Sequence, residues 1–310
     1  MKVKASTYGG RLGWFLRKRF SALTSYAWIR MQFLLRRKPT VNYINNYQEG
    51  DNPLYVSIET INRCNSKCSF CPASIGNETR PFELMAEDLY AKILAELKAM
   101  DFRGVFSLFV SNEPLMDKRI LDFHKLARAA LPNCHILLFT NGTLLTLKKF
   151  RELAPLVDKI VVNNYSSSLK LHSNIQEILD YCQSNDVFPH LELLVQKRFI
   201  EEKLTNRANT APNKQGGKAI NEPCLYPFTD ISIHPDGTVS LCCVDTFKKI
   251  VMGNCRENTL AEIWQSSKYA ETREAMRKTR AANDVCKYCD VVDSGLRLEW
   301  IKLRDKEDTV

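Results

Sequence analysis

The 310-residue chain has no internal repeat, no low-complexity tract, no apolar run of bilayer length and, in its first 38 residues, not one Asp or Glu. Glycine and proline are sparse, at 12 each. The N-terminal region's longest uncharged stretch, Phe20 to Ile29, is about half of what a spanning helix needs, and no small-residue cleavage site follows it. Neither membrane spanning nor export is supported, and a cytoplasmic protein is expected. Few Gly and Pro, together with 45% hydrophobic and 25% charged residues, exclude fibrous and disordered chains and indicate a globular fold with a real core. The missing acids matter for the net charge of +9. Residues 1–38 carry the excess and the rest of the chain is close to neutral, so no nucleic-acid partner is expected.

Residues 1–47 form a basic arm in which Trp14, Phe15, Phe20, Trp28 and Phe33 mix with Arg17, Lys18, Arg19, Arg30, Arg36 and Arg37. Lys2–Lys38 reads as one helical segment. Two roles stay open: a helix packed on the body with its cations solvated, or contact through residues 1–38 with an anionic membrane surface, the protein then being peripheral to the membrane.

From residue 53 apolar, β-branched runs alternate with helical patterns, which is the pattern of β-α units around a parallel sheet. Candidate strands are 54–60, 105–110, 134–140, 159–163 and 187–196, and candidate helices are 85–100, 118–131, 147–156 and 174–184. Periodicity allows an open doubly wound sheet or a barrel, and both place chemistry on the loops after the strands' carboxyl ends. The polar stretch 205–219 reads as a linker between a core at 48–204 and a smaller module at 205–310. That module opens with a hairpin around Pro235-Asp236-Gly237 and continues with an amphipathic helix over 259–279.

Eleven cysteines are too many for chance and too unevenly spaced for a disulfide scaffold. Cys64, Cys68 and Cys71 lie on the loop after the first candidate strand of the core. Three thiols cannot close a tetrahedral site, so either a distant fourth ligand completes it or one position stays open for chemistry. Cys286 and Cys289 form a second metal-type pair, and the hairpin can bring Cys224 and Cys242 to it. Cys134, Cys182 and Cys255 read as structural. Cys243 is an inert neighbour first, then an alternate ligand or a hydrogen-atom donor.

The CxxxCxxC loop resembles the signature of the radical S-adenosylmethionine superfamily, and the resemblance extends along successive strand ends. It implies a partial (β/α)6 TIM-type barrel of α/β class and a [4Fe-4S] cluster on Cys64, Cys68 and Cys71 that binds S-adenosylmethionine. It further implies that Phe70 contacts the adenine, that Glu113 of Ser111-Asn112-Glu113-Pro114 receives the methionine amino group, and that Asn141 contacts the ribose. Asn163 then supplies a polar ribose or substrate contact. Asn112 departs from the usual Gly. The segment from Cys224 to Cys289 is similar to the small α+β twitch or SPASM module, which implies one auxiliary [4Fe-4S] cluster on Cys224, Cys242, Cys286 and Cys289.

The resemblance implies cleavage of S-adenosylmethionine to a 5′-deoxyadenosyl radical that abstracts hydrogen from a substrate C–H bond, with a flavodoxin or ferredoxin as reductant. Among short members the chain most resembles aminocyclitol dehydrogenases and sugar epimerases, whose substrate is a small molecule or glycan and which carry an Arg where Arg207 stands. The alternatives are modification of a ribosomally made peptide and a non-enzymatic zinc or iron–sulfur scaffold.

Overall fold

The computed structural model describes residues 2–7, 21–185, 187–293, 297, 300 and 301, with 5–7 and 21–29 as backbone alone. The expected alternation is present as β2 (Tyr55–Ile58), α2 (Glu87–Ala99), β3 (Val105–Ser107), α3 (Ile120–Ala130), β4 (His135–Thr140), α4 (Leu147–Leu153), β5 (Lys159–Ser166), α5 (Ser173–Ser184) and β6 (Glu192–Phe199). Helix α2 shows why. It buries Leu89, Tyr90, Ile93, Leu94 and Leu97 at three- and four-residue steps, and its acids sit in the first turn with Lys98 in the last.

With β1 (Lys2–Thr7), β7 (Asp230–Ile233), β8 (Thr238–Ser240) and β9 (Val251–Asn254), one nine-stranded sheet runs in the order β1-β6-β5-β4-β3-β2-β7-β8-β9, and its two edge strands do not pair with each other. The strands from β1 to β7 in that order are parallel, so the fold is an open barrel. Alternate residues divide two environments. Val56, Ile58, Phe106, Ile136, Leu138, Ile160 and Val162 pack outward with the helices. Tyr55, Val105 and Leu137 form a separate inner cluster at the strands' amino ends, with Phe139 and Trp300 against it. The inner face closes below and becomes polar above.

The N-terminal segment is not one helix. Lys2–Thr7 is a strand, β1, paired in parallel with β6 from Lys2↔Glu192 to Thr7↔Lys197. Residues 8–20, with Trp14, Phe15, Arg17, Lys18 and Arg19, lie outside the described residues. Helix α1 (Ser21–Asn46) follows. Its end packs on the body through buried Tyr43 and Ile44, and the Tyr47 ring just beyond lies 5.3 Å from that of Phe228. Among the described residues no helix is long and apolar enough to cross a membrane.

The hairpin of β7 (Asp230–Ile233) and β8 (Thr238–Ser240) forms as expected, but β7 also pairs with β2, so it extends the barrel sheet directly. Gly237 has φ +88°, and a Cβ there would meet Asn254 Oδ1 at 2.7 Å. Beyond β9 (Val251–Asn254), the expected helix over 259–279 is two: α6 (Leu260–Trp264), with a Thr259/Glu262 capping box, and α7 (Ser267–Lys278). Ser266 breaks the run because its hydroxyl caps α7 by accepting from Tyr269 N.

Candidate active site

Two thiol sets lie on separate segments, one on the loop after β2 and one in the C-terminal segment. The first set lies on the loop after β2. Cys71 N donates to Cys68 O at 3.1 Å, Ser66 Oγ lies 3.1 Å from Cys68 Sγ, and Ser69 N bonds Ile200 O beyond β6. Burial pushes the Cys64 thiol up to about 12, with Glu113, Cys71 and Cys68 adding to the effect, and it pushes Cys68 up to about 11. The three thiols thus share one electrostatic neighbourhood.

Behind this loop stands a buried polar network that sequence reasoning missed. Arg80 pairs with Glu59 and Glu78, each at 2.8 Å. Glu59 Oε2 lies 3.1 Å from His234 Nδ1, His234 Nε2 lies 2.9 Å from Ser240 Oγ, and Ser240 Oγ donates to Cys242 O at 3.3 Å. Interactions with His234 and Arg80 hold the Glu59 carboxyl below its usual range despite complete burial, which opposes them. The chain runs from the first cysteine loop to the backbone of Cys242, and no motif announces it.

Glu113 is buried and already engaged. Oε1 accepts from Leu115 N at 3.2 Å and Thr140 Oγ1 at 2.7 Å, and Oε2 accepts from Asn141 N at 2.7 Å. It therefore caps the turn at Pro114 and ties β3 to β4, while burial raises its pKa. Asn112, where Gly was usual, is not among the positive-φ residues, and its Oδ1 accepts from Val110 N at 3.1 Å. A side chain is thus tolerated there. Asn141 donates to Asn65 Oδ1 at 2.8 Å and approaches Cys64 Sγ at 3.9 Å, so it reaches the cysteine loop. The Phe70 ring lies 5.5 Å from that of Tyr165 at the end of β5. Asn163 shares the inner face of β5 with Tyr165, and Asn164 turns away to bond His172 N and Lys170 O.

The first part of the stretch 205–219 is not a solvated linker: residues 206, 208, 210 and 211 are buried, whereas 215–219 are exposed. Asn206 is buried, its Nδ2 donates to Tyr288 O at 2.6 Å, and its backbone N donates to Asp290 Oδ1 at 2.6 Å. Arg207, Ala208 and Asn209 follow with φ of 48°, 53° and 62°, three successive left-handed residues of which none is Gly. Such a run stores strain that the surrounding bonds must hold. It points Arg207 at the mouth, where Nη2 donates to Ser111 Oγ at 3.2 Å and Nε is buried without a partner.

Cys224, Cys242, Cys286 and Cys289 line a single cavity walled mainly by apolar side chains. Burial raises the Cys242 thiol, and Cys243, Cys286, Cys224 and Cys289 add to it. Among the described residues no three His, Cys, Asp or Glu side chains stand close enough to share one metal ion. Four thiols around one cavity are a donor set that fits a [4Fe-4S] cluster. Cys243 is not among the residues lining the cavity; the charges acting on its thiol are Arg297, Asp230 and Arg207. Cys134, Cys182 and Cys255 are buried in the main core, as expected. A second missed residue, Arg280, also lines the cavity.

Comparison with known proteins matches this arrangement. The model described as the radical SAM superfamily matches residues 58–189, and the SPASM iron–sulfur cluster-binding domain matches 224–290. A curated relative, the S-adenosyl-L-methionine-dependent 2-deoxy-scyllo-inosamine dehydrogenase of Niallia circulans, is 26% identical over 241 residues, covering 76% of this chain and 92% of the relative. The solved structure of BtrN in complex with AdoMet and 2-DOIA has a TM-score of 0.68 at 24% identity, covering 78% of this chain and 94% of that one. Native anSMEcpe with bound AdoMet gives 0.51 at 13% identity, covering 81% and 95% respectively.

Proposed function

We propose that this chain, in which the radical SAM superfamily model and the SPASM iron–sulfur cluster-binding domain both match, is an S-adenosylmethionine-cleaving oxidoreductase that dehydrogenates a secondary alcohol carbon of an aminocyclitol- or sugar-type substrate. The observation that carries the proposal is Arg207, fixed by a left-handed run at the barrel mouth with its Nε unpaired. A guanidinium so held offers N–H donors to substrate hydroxyls. The curated relative's printed activity, on an aminocyclitol, supports the substrate class.

When bound, S-adenosylmethionine and its cluster supply a 5′-deoxyadenosyl radical, and the auxiliary cluster supplies an acceptor for one electron. Held by this chain's residues, these groups would together take one hydrogen atom and one electron from the substrate's carbinol carbon, and its hydroxyl proton would pass to solvent, leaving C=O. We assign Cys64, Cys68 and Cys71 to the first cluster and Cys224, Cys242, Cys286 and Cys289 to the second. Phe70 takes the adenine, Asn141 the ribose and Asn163 a ribose or substrate hydroxyl. Glu113 keeps the Asn141 loop in place, and we assign its carboxylate to the methionine amino group.

Incubation with candidate aminocyclitols, sugars and peptides in deuterated buffer tests the reading by mass. A product two hydrogens lighter, formed with 5′-deoxyadenosine, is expected; solvent deuterium in an unoxidised product would replace dehydrogenation with epimerisation. Epimerisation is the second reading because Cys243 lies near Arg207 and off the thiol cavity. Cys243→Ala is expected to keep its iron and its oxidising turnover. Iron loss as severe as in Cys242→Ala would make Cys243 a ligand, and lost product with iron intact would make it the hydrogen donor.

We further infer that the enzyme works in the cytoplasm with a flavodoxin- or ferredoxin-type reductant, and that α1 touches anionic lipid. Met31, Leu34 and Leu35 form an exposed apolar strip one turn from Lys38. Removing residues 1–38 would also remove β1, so Leu34→Glu/Leu35→Glu is the cleaner test. Binding to anionic vesicles is expected to fall with that change and with added salt, since each cation near such a surface contributes about 1 kcal/mol. Binding unmoved by either would assign α1 to packing alone.

A further inference from the structure

Among the described residues three arginines are buried, and one differs from the other two. Arg273 pairs with Glu49 and Arg297 pairs with Asp230. Arg280, only 4% exposed, is bound by carbonyls alone: Nη1 donates to Cys289 O and Val291 O, each at 2.8 Å, and Nη2 donates to Pro223 O at 3.1 Å. Phe33 of α1 covers it, the guanidinium carbon 5.0 Å from the ring centre. A buried cation without a carboxylate needs negative charge elsewhere. Arg280 lines the four-thiol cavity, and its Nε–H is buried without an acceptor.

We propose that Arg280 is a positioning and tuning residue for the auxiliary cluster, its Nε–H aimed at a cluster sulfur and its charge raising the cluster's reduction potential. A four-thiolate cluster is an anion that gains a further negative charge on reduction, so a fixed neighbouring cation stabilises the reduced form more than the oxidised one. The three carbonyls keep that cation in place. Two of them belong to the ligand Cys289 and to the residue before ligand Cys224, so the contacts that orient the guanidinium also order the ligand loops. The consequence is directional: a higher potential makes this cluster the better sink for the substrate electron, which is what an oxidising radical reaction requires of it.

The inference rests on the assignment of Cys224, Cys242, Cys286 and Cys289 as ligands, and iron retained in full by Cys286→Ala/Cys289→Ala would remove that assignment by itself. Arg280 is tested by redox titration of the reconstituted enzyme followed by electron paramagnetic resonance, the first cluster being told apart by its response to added S-adenosylmethionine. Arg280→Gln is expected to retain iron and to shift the auxiliary cluster to a more negative potential, with Arg280→Lys between it and the wild type. Retained iron at an unmoved potential in Arg280→Gln would overturn the proposal. If Arg280→Gln fails to load, the wild type decides: grown with ¹⁵N-arginine, its reduced auxiliary cluster should show a nitrogen coupling by pulsed resonance that disappears in Arg280→Lys. Absence of that coupling in the wild type would equally overturn it.

Discussion

Changing Cys64, Cys68 and Cys71 together to Ala will abolish 5′-deoxyadenosine formation and remove about four irons per chain. The effect should be complete because these thiols alone share the loop after β2, and burial disfavours the Cys64 and Cys68 thiolates unless metal binding offsets it. The fold should survive, since backbone bonds and the Ser74 and Asn77 side chains, which both donate to Cys71 O, hold the loop without the sulfurs. The second thiol set lies on other segments and should keep its own four irons or so. Iron analysis and product chromatography check both halves, and undiminished cleavage of S-adenosylmethionine would remove these residues from the site.

The second large effect is expected from Cys286→Ala/Cys289→Ala. Iron should fall to about four per chain and substrate oxidation should stop, while some 5′-deoxyadenosine continues to form without product. This uncoupling follows from the separation of the two sites: no residue of the 64–71 loop lines the four-thiol cavity. A closed set of four thiolates leaves no iron open to S-adenosylmethionine, so its loss removes the electron acceptor and spares the cleavage. The variant must be shown folded, by circular dichroism, because Arg280 donates a hydrogen bond to the Cys289 carbonyl. Wild-type oxidation in a folded variant with half the iron would show that the second cluster is not the electron acceptor.

Much of this could be read from periodicity and cysteine spacing. Five core strands and four helices fall within a few residues of expectation because each carries its own pattern of burial. Lys2–Thr7 escaped because Lys-Val-Lys-Ala-Ser-Thr is too short and polar to declare a strand, and its partner begins at Glu192. The four auxiliary thiols were legible as a set. Arg280, Glu59 and His234 were not, since a single charged residue in a sequence looks like a solvated one until the fold shows what encloses it. The 205–219 stretch misled for the opposite reason. Its polar residues suggested solvent, whereas Asn206 uses its amide to satisfy backbone groups inside the protein.

The pairing of β1 with β6 also sets an order of assembly. Lys2 must meet Glu192, so β1 leaves the ribosome long before the strand it joins. At ~5–20 residues per second the wait is roughly ten to forty seconds. During it the segment is an unpaired strand carrying Lys2 and Lys4, the kind of charge that keeps a bare edge from pairing with another chain. The loop closed by β1 and β6 is the longest in the sheet, and its entropy is lost only when the strands between them are already in register. Docking of β1 is thus a late event in folding, and the nascent barrel stays open along the β6 edge until it occurs.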